Sequence, residues 1–108
     1  MSQSIRELSA RIAAVGELYA KRFDIERTPD WYLLKLQEEL GELTAEHVEL
    51  AGRARPSGRS EAEIREALEN EAADLFGQFV LYLEANGIDI ESAIERKWLK
   101  HLDNWTLK

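Results

Sequence analysis

Glu39 and Glu42 stand three residues apart, and Glu71 and Asp74 repeat that spacing further along the chain. On a helix, residues three apart project from one side with about 5–6 Å between their Cβ atoms, so each pair forms a two-carboxylate claw. Four carboxylates gathered where water is partly excluded repel one another, and burial without a partner raises the cost. A divalent cation removes that conflict. Ligation through oxygen alone, in a chain with no cysteine, suits Mg²⁺, with Mn²⁺ as a substitute, better than zinc. Mg²⁺ commonly shares such carboxylates with phosphates, which makes a phosphorylated small molecule the implied ligand. Taken singly, either pair also fits an ordinary solvated helix face. What joins them is that both lie beside apolar stripes, with Glu39 and Glu71 bordering the stripe and Glu42 and Asp74 one step further out.

Four helices must carry these residues, and no strand is expected. Ser4 and Glu7 have capping-box spacing, and Ile5, Leu8, Ile12 and Val15 then recur at helical intervals to about Arg22. Thr28 as cap and Pro29 at the first helical position open a second helix reaching about Ala51. Along it Leu33, Leu36, Leu40, Leu43, His47 and Leu50 keep one stripe, while Glu46 and Glu49 continue a wet face. "GRARPSGRS" is the one loop of obvious composition, with Arg53, Arg55 and Arg59 read either as a solvated loop or as a lid over phosphate. Ser60 and Glu63 start a third helix, Glu61 to Ala85, whose second half is apolar nearly all round and so belongs in the centre or in a subunit interface. Asn86-Gly87 stops it. Asp89 caps a fourth helix through Ile90, Ile94, Trp98, Leu102 and Trp105. The expectation is one all-α domain over residues 1–108, with the second and third helices packed antiparallel so that the claws converge.

Composition limits the rest. A formal charge of −7 argues against a nucleic acid polymer as partner, since that affinity comes from Lys and Arg on phosphates. No stretch of about 18 apolar residues is present and the charged N-terminus lacks a signal-peptide core, so no membrane partner and a cytoplasmic location are expected.

"EELGE" at Glu38–Glu42, then 28 residues, then "EAAD" at Glu71–Asp74 resembles the E-E-x-x-E … E-x-x-D signature of MazG-like all-α nucleoside triphosphate pyrophosphohydrolases. The likeness covers about Tyr32 to His101 and includes the order of elements. It implies a four-helix, oligomeric bundle, a homodimer or homotetramer, that hydrolyses an NTP or dNTP to the monophosphate and pyrophosphate with Mg²⁺. By that likeness Glu39, Glu42, Glu71 and Asp74 match the metal ligands. Lys97 matches a lysine of the last helix, and His101 stands where relatives often carry asparagine; imidazole can donate a hydrogen bond there too. Glu38, beside the motif but not one of the four ligands, is the candidate for orienting the attacking water. Trp31, two turns before Glu39, is positioned to meet a nucleobase, with core packing as its other reading. Lys35 either pairs with Glu39 or meets a ligand.

Other readings stay open. A di-iron bundle needs Glu-x-x-His pairs, and Thr44 and Trp98 occupy the positions three before His47 and His101. A phosphoribosyl nucleotide remains a possible substrate of the same fold, and a helical interaction module with an acidic face is the non-enzymatic alternative.

Overall fold

Local chemistry at the chain's polar punctuation sets where each helix starts and stops. The computed structural model describes residues 3–105. Ser4 Oγ accepts the Glu7 N–H at 3.0 Å and opens α1 (Ile5–Phe23). Among the described hydrogen bonds Glu7 does not return one to Ser4, so only half of the expected capping box forms. Asp24, at φ 50°, turns left-handed to end α1, and Ile25 N–H donates back to Ala20 O at 3.0 Å. Thr28 Oγ1 accepts the Trp31 N–H at 3.1 Å and Pro29 leads α2 (Pro29–Leu50). The box at α3 (Glu61–Ala85) is complete, with Glu63 N–H to Ser60 Oγ at 3.1 Å and Ser60 N–H to Glu63 Oε1 at 2.8 Å. Gly87, at φ 61°, reverses the chain as expected.

The expected fourth helix is interrupted. Asp89 caps α4 (Ile90–Ile94), a π-helical turn follows over Glu95–Leu99, and α5 (His101–Asn104) is a last short turn. Ile90, Ile94, Trp98 and Leu102 are each four residues apart, more than the 3.6 of an α-helix turn, so a regular helix would spiral them off one line. The π turn breaks that regular helix, and Trp98 and Leu102 of the expected stripe stay exposed, at 68% and 79%.

α3 is the central element, packed along α2 and crossed by α1. At the contact with α1, Gly16 is buried, and a Cβ there would stand 2.7 Å from Leu81 Cδ2, so the bare backbone is what lets the helices approach. The buried apolar side chains are Ala20, Tyr32, Ile64, Val80 and Leu83. Around this small core many large apolar residues stay exposed, including Val15, Leu18, Leu33, Leu34 and Leu40. No helix among the described residues is long and apolar enough to cross a membrane.

The rotation of α2 departs from the leucine stripe. Its inward line runs through Tyr32, Leu36, Glu39, Leu43 and Glu46, while Leu33, Leu40 and His47 face outward. The expected wet face of Glu46 and Glu49 is instead a clasp. Arg59 donates to both oxygens of Glu46 at 2.8 and 3.0 Å and to Glu49 Oε1 at 2.7 Å. Ser57 fills the other Glu49 oxygen through its N–H at 2.7 Å and its hydroxyl at 2.6 Å. These bonds hold both carboxyls below the usual range, Arg59 being the main cause at Glu46 and Ser57 at Glu49. A bidentate guanidinium fixes direction as well as distance, so Arg59 locks the start of α3 onto the end of α2. It is therefore not a free lid residue.

Replacing Arg59 by Ala is expected to lower the thermal unfolding midpoint in low salt, whereas Arg53→Ala, which removes no described ion pair, leaves it unchanged. Melts of both variants at low and high ionic strength check this, since screening shrinks a difference carried by charge.

Candidate metal centre

α2 and α3 pack along one another, and this brings the two carboxylate pairs together. Glu42 meets Glu71 at the seam, and three residues back along α2 and three forward along α3 Glu39 comes level with Asp74. Carboxylate oxygens of Glu39, Glu42 and Glu71 all lie within 4.8 Å of one another. Asp74 is exposed and outside that triad. It faces the same cleft as Glu39 and its charge acts on both Glu39 and Glu71.

Glu39 is 8% exposed, the one buried charged residue among those described. Its Oε2, and that of Glu71, are shut off from solvent and accept no hydrogen bond. Buried carboxylate oxygens without donors are costly. Desolvation, then the charges of Glu42 and Asp74, raise the Glu39 pKa. Glu71 is pushed up to about 7, first by desolvation and next by a hydrogen bond shared with Glu42 and by its charge. Protons are one answer to this crowding and a divalent cation is the other. The donor set, oxygen only and already converged, fits a hard cation. In that arrangement Glu39, Glu42 and Glu71 would hold it, with Asp74 at the margin.

A cleft of about 770 Å³ opens beside the triad, between α1, the first half of α2 and the middle of α3. Glu39 and Asp74 form its acidic end. Arg11, Arg27 and Lys35 also line it, together with Tyr19 and Trp31. Sequence reasoning left out the two arginines: Arg11 reaches the cleft through the packing of α1, and Arg27 stands in the loop before α2. Lys35 it had weighed: its Nζ binds Glu38 Oε2 at 3.1 Å, rather than Glu39, and sits 5.9 Å from the Trp31 ring centroid. Arg27 is fixed by Glu17 Oε1 at 2.7 Å. Trp31 is half-buried and edge-on to Tyr32, at 5.2 Å between centroids.

Glu38 is exposed and held by Lys35. Lys97 and His101 are not brought to the cleft within the chain: Lys97 lies in the π turn, and His101 stacks on Trp105 at 3.9 Å. In comparisons with family models, curated proteins and solved structures, nothing matches this chain.

The sign of the pH effect follows from Glu71. In the unfolded chain it titrates near 4.5 and in the folded chain near 7, so between those values the folded state holds the proton more firmly. Stability from this group is present below pH 4.5 and is lost as pH rises through about 7. Metal-free protein should therefore melt lower at pH 8 than at pH 5 on this account. Added Mg²⁺ should restore the midpoint most strongly above pH 7, where it replaces the proton. Glu71→Gln should shrink the pH effect to the share that buried Glu39 contributes and should weaken the Mg²⁺ response, as followed by thermal melts across pH with EDTA or Mg²⁺.

Proposed function

We propose that this protein is a Mg²⁺-dependent nucleoside triphosphate pyrophosphohydrolase of MazG-like type, cleaving an NTP or dNTP to the monophosphate and pyrophosphate in the cytoplasm. The observation that carries the reading is the convergence of Glu39, Glu42 and Glu71 with two donor-less buried oxygens, at one end of a cleft that also holds cations and aromatics. Mn²⁺ is a fitting substitute. In a chain of formal charge −7, three basic side chains turned to one cleft suit an anionic ligand.

The roles follow the order of residues along α2. Trp31, Lys35 and Glu39 are spaced at one helical turn each, about 12 Å from first to last along the axis. The aromatic end is assigned to the base, and the lysine and carboxylates to the phosphates. A cation in the triad would neutralise phosphate oxygens and stabilise charge that develops as the bond breaks. Glu38, exposed beside Glu39, is assigned to orient the water that attacks the α-phosphorus. The P–O bond to the pyrophosphate breaks and the water's proton is released. Arg11 and Arg27 line the same cleft, Arg27 at its aromatic end beside Tyr32, and add positive charge along it.

The working unit in this proposal is a homodimer or homotetramer. The chain exposes 8667 Å², against about 6,100 Å² for a monomeric protein of its mass. Its radius of gyration is 17.2 Å, against about 13 Å for a compact chain of this length. An obligate dimer interface buries roughly 2,000–5,000 Å² in total, which matches an excess of this size on each chain. Leu33, Leu34, Leu40, Val15 and Leu18 supply its apolar part. Lys97 and His101, outside the cleft of their own chain, are assigned to substrate binding only through a neighbouring copy.

Pyrophosphate release from a panel of NTPs and dNTPs, with Mg²⁺ and with EDTA, tests the reaction. Glu71→Ala should lower turnover about 100-fold or more, as loss of several kcal/mol of charge stabilisation implies. No metal-dependent release from any nucleotide would sink the reading. Light scattering after gel filtration should give a mass two or four times that of the chain, and Leu40→Glu, placing charge on the outer stripe, should shift it toward the monomer.

A further inference from the structure

Gln78 is a half-buried side chain whose amide oxygen has no protein partner. It lies one turn beyond Asp74 on α3, level with Lys35 across the antiparallel seam, and lines the cleft shared with Trp31 and Tyr19. Its Oε1 is shut off from solvent and receives no hydrogen bond from any protein group. A buried amide oxygen left without a donor opposes folding, so its retention asks for a use. Packing does not supply one, because an apolar side chain of similar length would fill the position at lower cost. Neighbouring cations do not either: Lys35 is engaged by Glu38 and Arg27 by Glu17.

We infer that Gln78 is the residue that sets base specificity, its carboxamide reading a donor–acceptor edge of the base that lies against Trp31. This rests on the proposed nucleotide reading and adds to it a determinant outside the carboxylate motif. The chemistry favours the assignment in two ways. A carboxamide offers one donor group and one acceptor group side by side, which matches an amidine or lactam edge of a nucleobase in two hydrogen bonds. Its place suits the task as well: one turn along α3 from Asp74, away from Glu71, it is set on the aromatic side of the cleft rather than within the triad. A site that hydrogen-bonds its ligand through a buried group rejects ligands that cannot answer it far more strongly than an apolar pocket rejects a change of size.

The test compares the full-length protein with Gln78→Met, which keeps length and removes both hydrogen-bonding groups. Turnover is measured for ATP, GTP, CTP and UTP, and affinity by calorimetry for their non-cleavable α,β-methylene analogues, all with Mg²⁺. The wild type should rank the four bases, and the variant should compress the spread between best and worst by about 10-fold or more in kcat/KM and in Kd. It should also keep the folded spectrum and the Mg²⁺-induced stabilisation of the parent. A ranking equally steep in both proteins, or no ranking in the parent, overturns the role of Gln78 while leaving the reaction intact. Base-ranked analogue binding that the variant flattens, without turnover in either protein, supports Gln78 and sinks the reaction instead. Failure of both turnover and binding overturns both.

Discussion

Three carboxylates held within a few ångströms at the seam of two helices are a standing electrostatic conflict, and the organisation of α2 and α3 follows from it. Glu39 is buried, Glu71 holds its proton up to about pH 7, and neither has a donor for its covered oxygen. Helices that were free to slide or rotate would relieve this by moving apart. Two features oppose that motion. At the loop end, Arg59 joins the start of α3 to Glu46 and Glu49 of α2; further along, Gly16 lets α1 settle against Leu81 on the other side of α3. Acidic residues thus serve opposite ends here. Glu46 and Glu49 are satisfied and tie α2 to the start of α3, and one to two turns away Glu39 and Glu42 converge on Glu71.

Where the sequence was legible, the deciding chemistry was local. Ser4, Thr28 with Pro29, Ser60 with Glu63, Asn86-Gly87 and Asp89 each act on backbone groups within a few residues, and every one of them bounds a helix. The i, i+3 spacing of the carboxylates is likewise local, and three of the four converge. The rotation of α2 was not legible, for a physical reason. That helix carries two adjacent lines of residues, one through Leu33, Leu40 and His47, the other through Tyr32, Leu36, Glu39, Leu43 and Glu46, so its leucines divide between them and hydrophobicity alone does not choose. Leu36 and Leu43 of the expected stripe do turn inward, and at Glu46 the guanidinium of Arg59, thirteen residues away, neutralises the charge that comes with them. Arg11 was beyond reach, since it lines the cleft with Lys35 only once α1 has packed on α3, and Arg27 was overlooked because its partner Glu17 lies on another helix.

That choice of rotation has a consequence for the surface. Turning Glu39 inward leaves Leu33 and Leu40 outside, where each is about half exposed, at 44% and 52%. A single chain cannot bury both lines of α2 with the three packed helices it has. The C-terminal segment adds to the same surface: α4 and α5 pack chiefly on the π turn between them, and Trp98, Leu102 and Trp105 lie exposed. Under the oligomeric proposal, the leucine line is what a second copy covers.

The same seam also gives the cleft its direction. Because α2 and α3 run antiparallel, each turn of one meets a turn of the other at fixed register: Glu42 with Glu71, Glu39 with Asp74, Lys35 with Gln78. Moving along these levels, the paired chemistry passes from two carboxylates, through a carboxylate pair at the cleft's edge, to a cation beside an amide, and then to Trp31. Such a gradient fits a ligand that is itself graded, with anionic groups at one end and a planar, hydrogen-bonding group at the other. A purely acidic docking face would need the first level alone. Under the nucleotide proposal, Lys35, whose charge also eases the ionisation of Glu39, and Gln78, whose buried oxygen has no protein donor, meet the part of the ligand that extends past the triad.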